Sequence, residues 1–113
     1  MKTALQARNA ESATALLLCK QGYEILARNW KTRVCEIDIV AKKDKVVYFI
    51  EVKYRSNPLQ GSGFDYITPR KRQQIEFSAK IWNQQNDWSD DCRLLAAAVA
   101  GTSYQDIAIV EIF

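Results

Sequence analysis

The sequence predicts an α/β domain, with a mixed sheet of about five strands flanked by helices in the order α-β-β-β-α-β-β. Three observations predict it. Two runs of apolar–polar alternation flank a short polar turn between positions 36 and 55. A helix-like stretch stands before this region and another after it, and two apolar runs close the chain.

Leu5 to Lys20 reads as a helix because no glycine or proline interrupts it, and Leu5, Ala13, Leu16 and Leu17 make the expected buried stripe. Gly22 sits where a helix-ending glycine would, and Tyr23 to Trp30 restarts the chain as a strand. In the next strand Ile37, Ile39 and Ala41 point one way while Glu36, Asp38 and Val40 point the other. After the polar turn at Lys42 to Lys45, Val46, Tyr48, Ile50 and Val52 alternate with Val47, Phe49, Glu51 and Lys53. Ser56 to Gly63 carries Pro58, Gly61 and Gly63 and reads as a loop. Thr68-Pro69 is an N-cap and first-turn pair for a helix to about Asn83, buried through Ile75, Ala79 and Trp82. Asn86 to Asp91 is a polar turn, and Leu94 to Ala100 and Ile107 to Phe113 are the closing strands. A chain of 113 residues supports one core, so residues 1–113 are expected to form one domain.

Composition narrows the chemistry. An apolar content of 48% fits a globular protein. The longest apolar stretch, Ala13 to Cys19, is too short to span a bilayer and lacks a cleavage-site pattern after it, which points to a cytoplasmic protein with no membrane partner. Cys19, Cys35 and Cys92 are odd in number and share no metal-ligand spacing, arguing against a disulfide framework or a zinc cluster. The absence of histidine removes Ser-His-Asp and Cys-His catalysis and His-based zinc hydrolysis together. Hydrolysis here must rest on carboxylates, lysine and a cation that prefers oxygen. A net charge of +3 permits a polyanionic partner without requiring one.

The alternation also constrains the hairpin. A two-residue turn at Lys43-Asp44 sets Glu36 opposite Glu51, and one at Asp44-Lys45 sets Asp38 opposite Glu51. Either way Glu36, Asp38, Glu51 and Lys53 share a face opposite the apolar set. Carboxylates opposed across neighbouring strands lie within about 5–8 Å and repel. A hard cation removes that cost, and Mg²⁺, or Mn²⁺ in its place, suits a few carboxylate oxygens completed by water and phosphate. Lys53 could orient or deprotonate an attacking water or steady charge on a phosphate. The competing account is a pair of cross-strand salt bridges with Lys53 neutralising its neighbours.

The stretch Cys35-Glu36-Ile37-Asp38-Ile39-Val40, followed by Tyr48-Phe49-Ile50-Glu51-Val52-Lys53-Tyr54-Arg55, resembles the YraN-like family of small bacterial proteins. There a Gly-Glu-Ile-Asp stretch precedes Phe-Val-Glu-Val-Lys-x-Arg. The likeness extends through Ala10-Glu11-Ser12-Ala13, Gly22 to Trp30, and Thr68-Pro69-Arg70-Lys71-Arg72. Cys35 and Ala10 stand where the family has glycine, and Leu94-Leu95 where a Phe-Asp pair is common. The resemblance implies a restriction-endonuclease-like fold similar to archaeal Holliday-junction resolvases. It further implies Asp38 and Glu51 as metal ligands, Lys53 as the catalytic lysine and Glu11 as a further acid and ligand. By helical angle alone Glu11 lies off the Leu5-Ala13-Leu16 stripe and would pass as a surface glutamate.

Arg70, Lys71 and Arg72 occupy the first turn of the second helix, where a phosphate would be favoured by the exposed N–H groups and by the cations together. The plainer account is a solvated basic turn. With Arg55 these residues are the candidate nucleic-acid contacts, and Trp30, Trp82 and Trp88 could stack on bases or simply pack, Trp82 being assigned to packing. The expected activity is Mg²⁺-dependent hydrolysis of DNA phosphodiesters, on branched or otherwise structured DNA, and a homodimer would suit cutting two strands. The alternatives are an inactive nucleic-acid-binding module of the same fold and a protein-interaction domain whose acids are structural.

Overall fold

The computed structural model describes residues 3–55 and 64–112; the loop expected at Ser56 to Gly63 lies outside them. The elements are α1 (Ala4–Lys20), β1 (Glu24–Lys31), β2 (Glu36–Lys43), β3 (Val46–Arg55), α2 (Pro69–Gln85), β4 (Cys92–Ala100) and β5 (Asp106–Glu111). The five strands form one sheet in the order β1-β2-β3-β4-β5, antiparallel throughout except for the parallel pair β3–β4. That one parallel pair follows from α2, because a strand that continues through a crossover helix returns beside its predecessor in the same direction. The fold is the α/β mixed sheet expected, in the expected order.

Local chemistry sets the boundaries. Thr3 caps α1 through a capping box with Gln6, and Gly22 follows its end with φ +94°. The Thr68 side chain accepts the Lys71 N–H, with Pro69 at the first position of α2. Between β2 and β3 the register Lys43↔Val46 leaves Asp44-Lys45 as a two-residue turn. Both residues have positive φ, +51° and +67°, the type I′ pattern whose twist matches a hairpin. A lysine in the left-handed region costs about 1–2 kcal/mol, partly offset by the greater unfolded-state freedom of glycine. Lys45→Gly is therefore expected to stabilise the protein by about 0.5–1 kcal/mol in urea unfolding. A lower urea midpoint for the variant would contradict this account of the turn.

Helices cover both faces of the sheet. On one face Ala15 and Leu18 of α1 pack on Ile39, Ala41, Ile50, Leu95 and Ala97. On the other, Ile75, Ala79 and Trp82 of α2 pack on Ile37, Val40, Val47, Phe49 and Leu94. This corrects two expectations. The face carrying the acids is not opposite the core: Val40, Val47 and Phe49 on it are fully buried under α2. Ile37, assigned by alternation to the side of Ile39, instead packs on the α2 side, because the alternation of β2 breaks between them, at Asp38.

The expected stripe of α1 is also wrong. Leu5 and Leu16 are 62% and 58% exposed, whereas Ala10, Glu11, Thr14, Ala15 and Leu18 are buried. Small side chains let the helix backbone lie close on the sheet, and Thr14 satisfies its hydroxyl by donating to the Ala10 carbonyl. Glu11 therefore belongs to the buried face of α1. Trp82 packs edge-on against Phe49, and Trp30 and Trp88 are partly buried against the same cluster.

Candidate functional site

The β2–β3 ladder pairs Ile39 with Ile50 and stops there. Continuing that register would set Asp38 opposite Glu51, but the Asp38 carboxylate instead accepts the Val52 N–H at 2.8 Å. A side chain thus takes the place of a backbone partner, and the ladder ends where the acids begin. On the other side of β2, Arg28 pairs with Ile39 and Trp30 with Ile37, bringing Asn29 opposite Asp38. Asn29 has φ +51°, a conformation asparagine tolerates better than most residues. The irregularity that breaks the alternation of β2 is therefore shared with its neighbour.

Burial pushes the Asp38 carboxyl up to about 7, reinforced by the charge of Glu51 and then by Glu11 and Glu36, while the Val52 N–H opposes the shift. Glu11 is also raised, first by its own burial, against a hydrogen bond from the Asn29 side chain and the charge of Arg28. Glu11 is only 9% exposed, and its Oε1 is buried without a hydrogen-bond partner among the described residues. Glu11, Asp38 and Glu51 come from three different elements, and the charge of Glu51 raises the proton affinity of both Glu11 and Asp38.

The basic residues divide. Lys71 Nζ lies 2.9 Å from Glu51 Oε1, tying the first turn of α2 to the acids. Arg70 and Lys71 line a cleft of about 540 Å³ together with Glu36 and Glu51. Arg72 turns the other way, pairing with Glu76 and lining a separate groove with Thr68 and Ile112. A helix advances 100° per residue, so adjacent positions cannot all share one surface. Arg55 pairs with Asp65 at 2.7 Å. Lys53 and Arg55 both lie against the ring of Tyr66, with Nζ and Cζ at 5.9 and 5.5 Å from its centroid.

Two residues of this neighbourhood escape a reading of the sequence. The Tyr66 hydroxyl is buried without a hydrogen-bond partner among the described residues, and its acidity is suppressed by burial and by the charges of Glu51 and Asp38. Asn29 supports Glu11 from β1. Asn29 sits within a plain strand pattern and Tyr66 beside a loop, so no spacing marks either; an asparagine in a strand, where it is disfavoured, is the only available signal.

The donor chemistry is compatible with a hard cation. The set is all oxygen, mutually repelling and anchored by a buried orphan atom in Glu11. Among the described residues no three acidic or cysteine side chains close a metal cage by themselves. Mg²⁺ does not require one, since it commonly takes one or two carboxylates and keeps water and phosphate oxygens for the rest. The cysteines are unpaired, and no described helix is long and apolar enough to cross a membrane.

Comparison with known proteins agrees with the extent of this framework. The chain is 36% identical over 98 residues to a UPF0102 protein of Neisseria meningitidis, covering 86% of this chain and 85% of the relative. It is 40% identical over 82 residues to a UPF0102 protein of Lachnoclostridium phytofermentans, covering 73% and 70%. A UPF0102 protein of Rhodopseudomonas palustris is 45% identical over 74 residues, or 66% of this chain and 55% of that protein. The model of the uncharacterised protein family UPF0102 matches residues 10–99, a span that begins just before Glu11 and takes in every residue of the site, and the chain belongs to that family.

Proposed function

We propose that this chain is a nuclease of the restriction-endonuclease-like superfamily that hydrolyses DNA phosphodiester bonds with Mg²⁺ in the cytoplasm. The observation that carries the reading is the meeting of Glu11, Asp38 and Glu51 from three elements at the point where the β2–β3 ladder opens. Acids buried and crowded in this way destabilise the fold unless they serve a cation or a proton, and such perturbed groups concentrate at functional sites. Asp38 and Glu51, supported by Glu11, would hold the cation. When bound, Mg²⁺ offsets the charge that develops on the phosphate and makes water a better nucleophile.

The remaining steps belong to the chain itself. Lys53 stands two residues beyond Glu51, against Tyr66, where its ammonium can orient the attacking water or balance charge on the phosphate. Lys71 is held at the site by Glu51 and would contact a phosphate oxygen there if that carboxylate held the cation. Arg70 brings a second positive charge to the same cleft.

The direct test mixes the purified protein with branched, single-stranded and duplex DNA in Mg²⁺ or Mn²⁺. Cleavage is expected, reduced at least 100-fold in Asp38→Ala and strongly in Lys53→Ala, since each removes a group the reaction uses. Cleavage indifferent to both substitutions would rule the site out. A second reading, an inactive nucleic-acid-binding module, draws support from the Lys71–Glu51 pair, which already satisfies one acid without a cation. It is distinguished by salt-sensitive DNA binding that weakens in Lys71→Ala, with no cleavage under any divalent cation.

A further inference from the structure

The cleft beside Glu51 continues along α2 past the acids, and of the residues there the proposed hydrolysis uses only Arg70. Arg70, Gln73, Gln74 and Phe77 line it, and at 100° per residue these four positions fall within one arc of about 100° on α2. The buried residues of the helix, Ile75, Ser78, Ala79 and Trp82, lie on another side of it. Phe77 is 49% exposed, and Val34, which lines the same cleft, is 72% exposed. Arg70 has no ion-pair partner among the described residues.

The chemistry of this strip is particular. An exposed aromatic ring offers a face for stacking, two carboxamides offer paired donors and acceptors, and a guanidinium offers a phosphate contact. The cleft is not a basic surface, because Glu36 and Glu51 balance Arg70 and Lys71. It therefore lacks the excess of cations that holds a duplex by its backbone. Paired bases also keep their faces inside the stack, where Phe77 cannot reach them. A splayed base can use both the ring and the amides, and stacking on an aromatic ring is the contribution that single-strand sites add to their backbone contacts. The volume, about 540 Å³, falls within the range of about 300–1,000 Å³ typical of a site for one small ligand.

We propose that this strip of α2 seats an unpaired nucleotide of single-stranded DNA, the base stacked on Phe77 and the adjoining phosphate held by Arg70 beside Glu51. The choice of DNA rests on the proposed nuclease reading; the preference for unpaired bases rests on the strip alone. Binding, measured apart from cleavage, tests it. Fluorescence anisotropy with labelled oligo(dT) and a duplex of equal length, on the full chain carrying Asp38→Asn in Ca²⁺ and in EDTA, should show tighter binding of oligo(dT). Adding Phe77→Ala should weaken oligo(dT) binding about 5- to 150-fold, the range for loss of one base–aromatic stack, and leave duplex binding within about twofold. Phe77→Trp should retain the tight binding. Preference for the duplex, equal loss on both DNAs, or a Phe77→Trp as weak as Phe77→Ala would overturn the proposal. So would concentration-dependent self-association in sedimentation that Phe77→Ala abolishes, because the strip would then be a protein interface. An absence of cleavage by the wild type counts against the nuclease alone, since these binding measurements involve no hydrolysis.

Discussion

At pH 8 without divalent cations, Asp38→Asn is expected to be more stable than the wild type by roughly 2–4 kcal/mol, while removing a ligand that the proposed nuclease activity needs. The native carboxyl is raised from 3.8 to about 7, chiefly by burial and by Glu51. Below the unfolded value both states carry the proton, and the native environment that favours the neutral form is fully stabilising. Between about 4 and 7 the unfolded chain gives up its proton while the native protein resists, so the wild type loses stability as pH rises. Above about 7 the charge is carried in a buried place next to other acids. Asparagine keeps an oxygen to accept the Val52 N–H but cannot ionise, so the variant escapes this loss. The advantage should vanish below pH 4, and millimolar Mg²⁺ should narrow it at pH 8 by stabilising the wild type alone. Thermal melts over this pH range, with and without Mg²⁺, provide the measurement. An advantage that is independent of pH would show that the burial of Asp38 carries no electrostatic cost.

Phe49→Ala is expected to destabilise the protein by about 3–5 kcal/mol, a large part of the 5–15 kcal/mol that holds a typical domain. Phe49 is fully buried and is among the largest such side chains. Its ring meets Trp82 edge-on at 5.6 Å with planes 74° apart, an arrangement that adds to the apolar area it buries. Its loss leaves a cavity between β3 and α2 that neither rigid element can close. The position also bears on the site. Glu51 lies two residues along β3, and Lys71 reaches it from α2, so loosening this contact should release the cleft as well as lower the melting temperature. Chemical unfolding checks the magnitude, and a loss under about 1.5 kcal/mol would mean that the core repacks around the gap. Phe49→Leu, closer in volume, should cost less than Phe49→Ala.

Much of the site could be read from spacing. Alternation on either side of Asp44-Lys45 restricts the hairpin to registers that gather the acids, and the turn realised sets Asp38 towards Glu51. Thr68-Pro69 placed Arg70 and Lys71 at the start of α2, because capping is decided by neighbours in the chain. Glu11 was legible only by resemblance. The leucines of α1 suggested the wrong face, since apolar count says nothing of how closely a helix must approach its sheet.

The sequence by itself determined the element order, the hairpin and the exclusion of histidine chemistry, because these depend on local backbone preference and on which side chains exist at all. Only the tertiary structure decided that the acid-bearing face is covered by α2, that Asp38 breaks the β2–β3 ladder to accept the Val52 N–H, and that Lys71 rather than Arg72 meets Glu51. Those outcomes depend on distances between elements far apart in the chain. Burial, desolvation and charge coupling act through space, and no periodicity along the sequence encodes them.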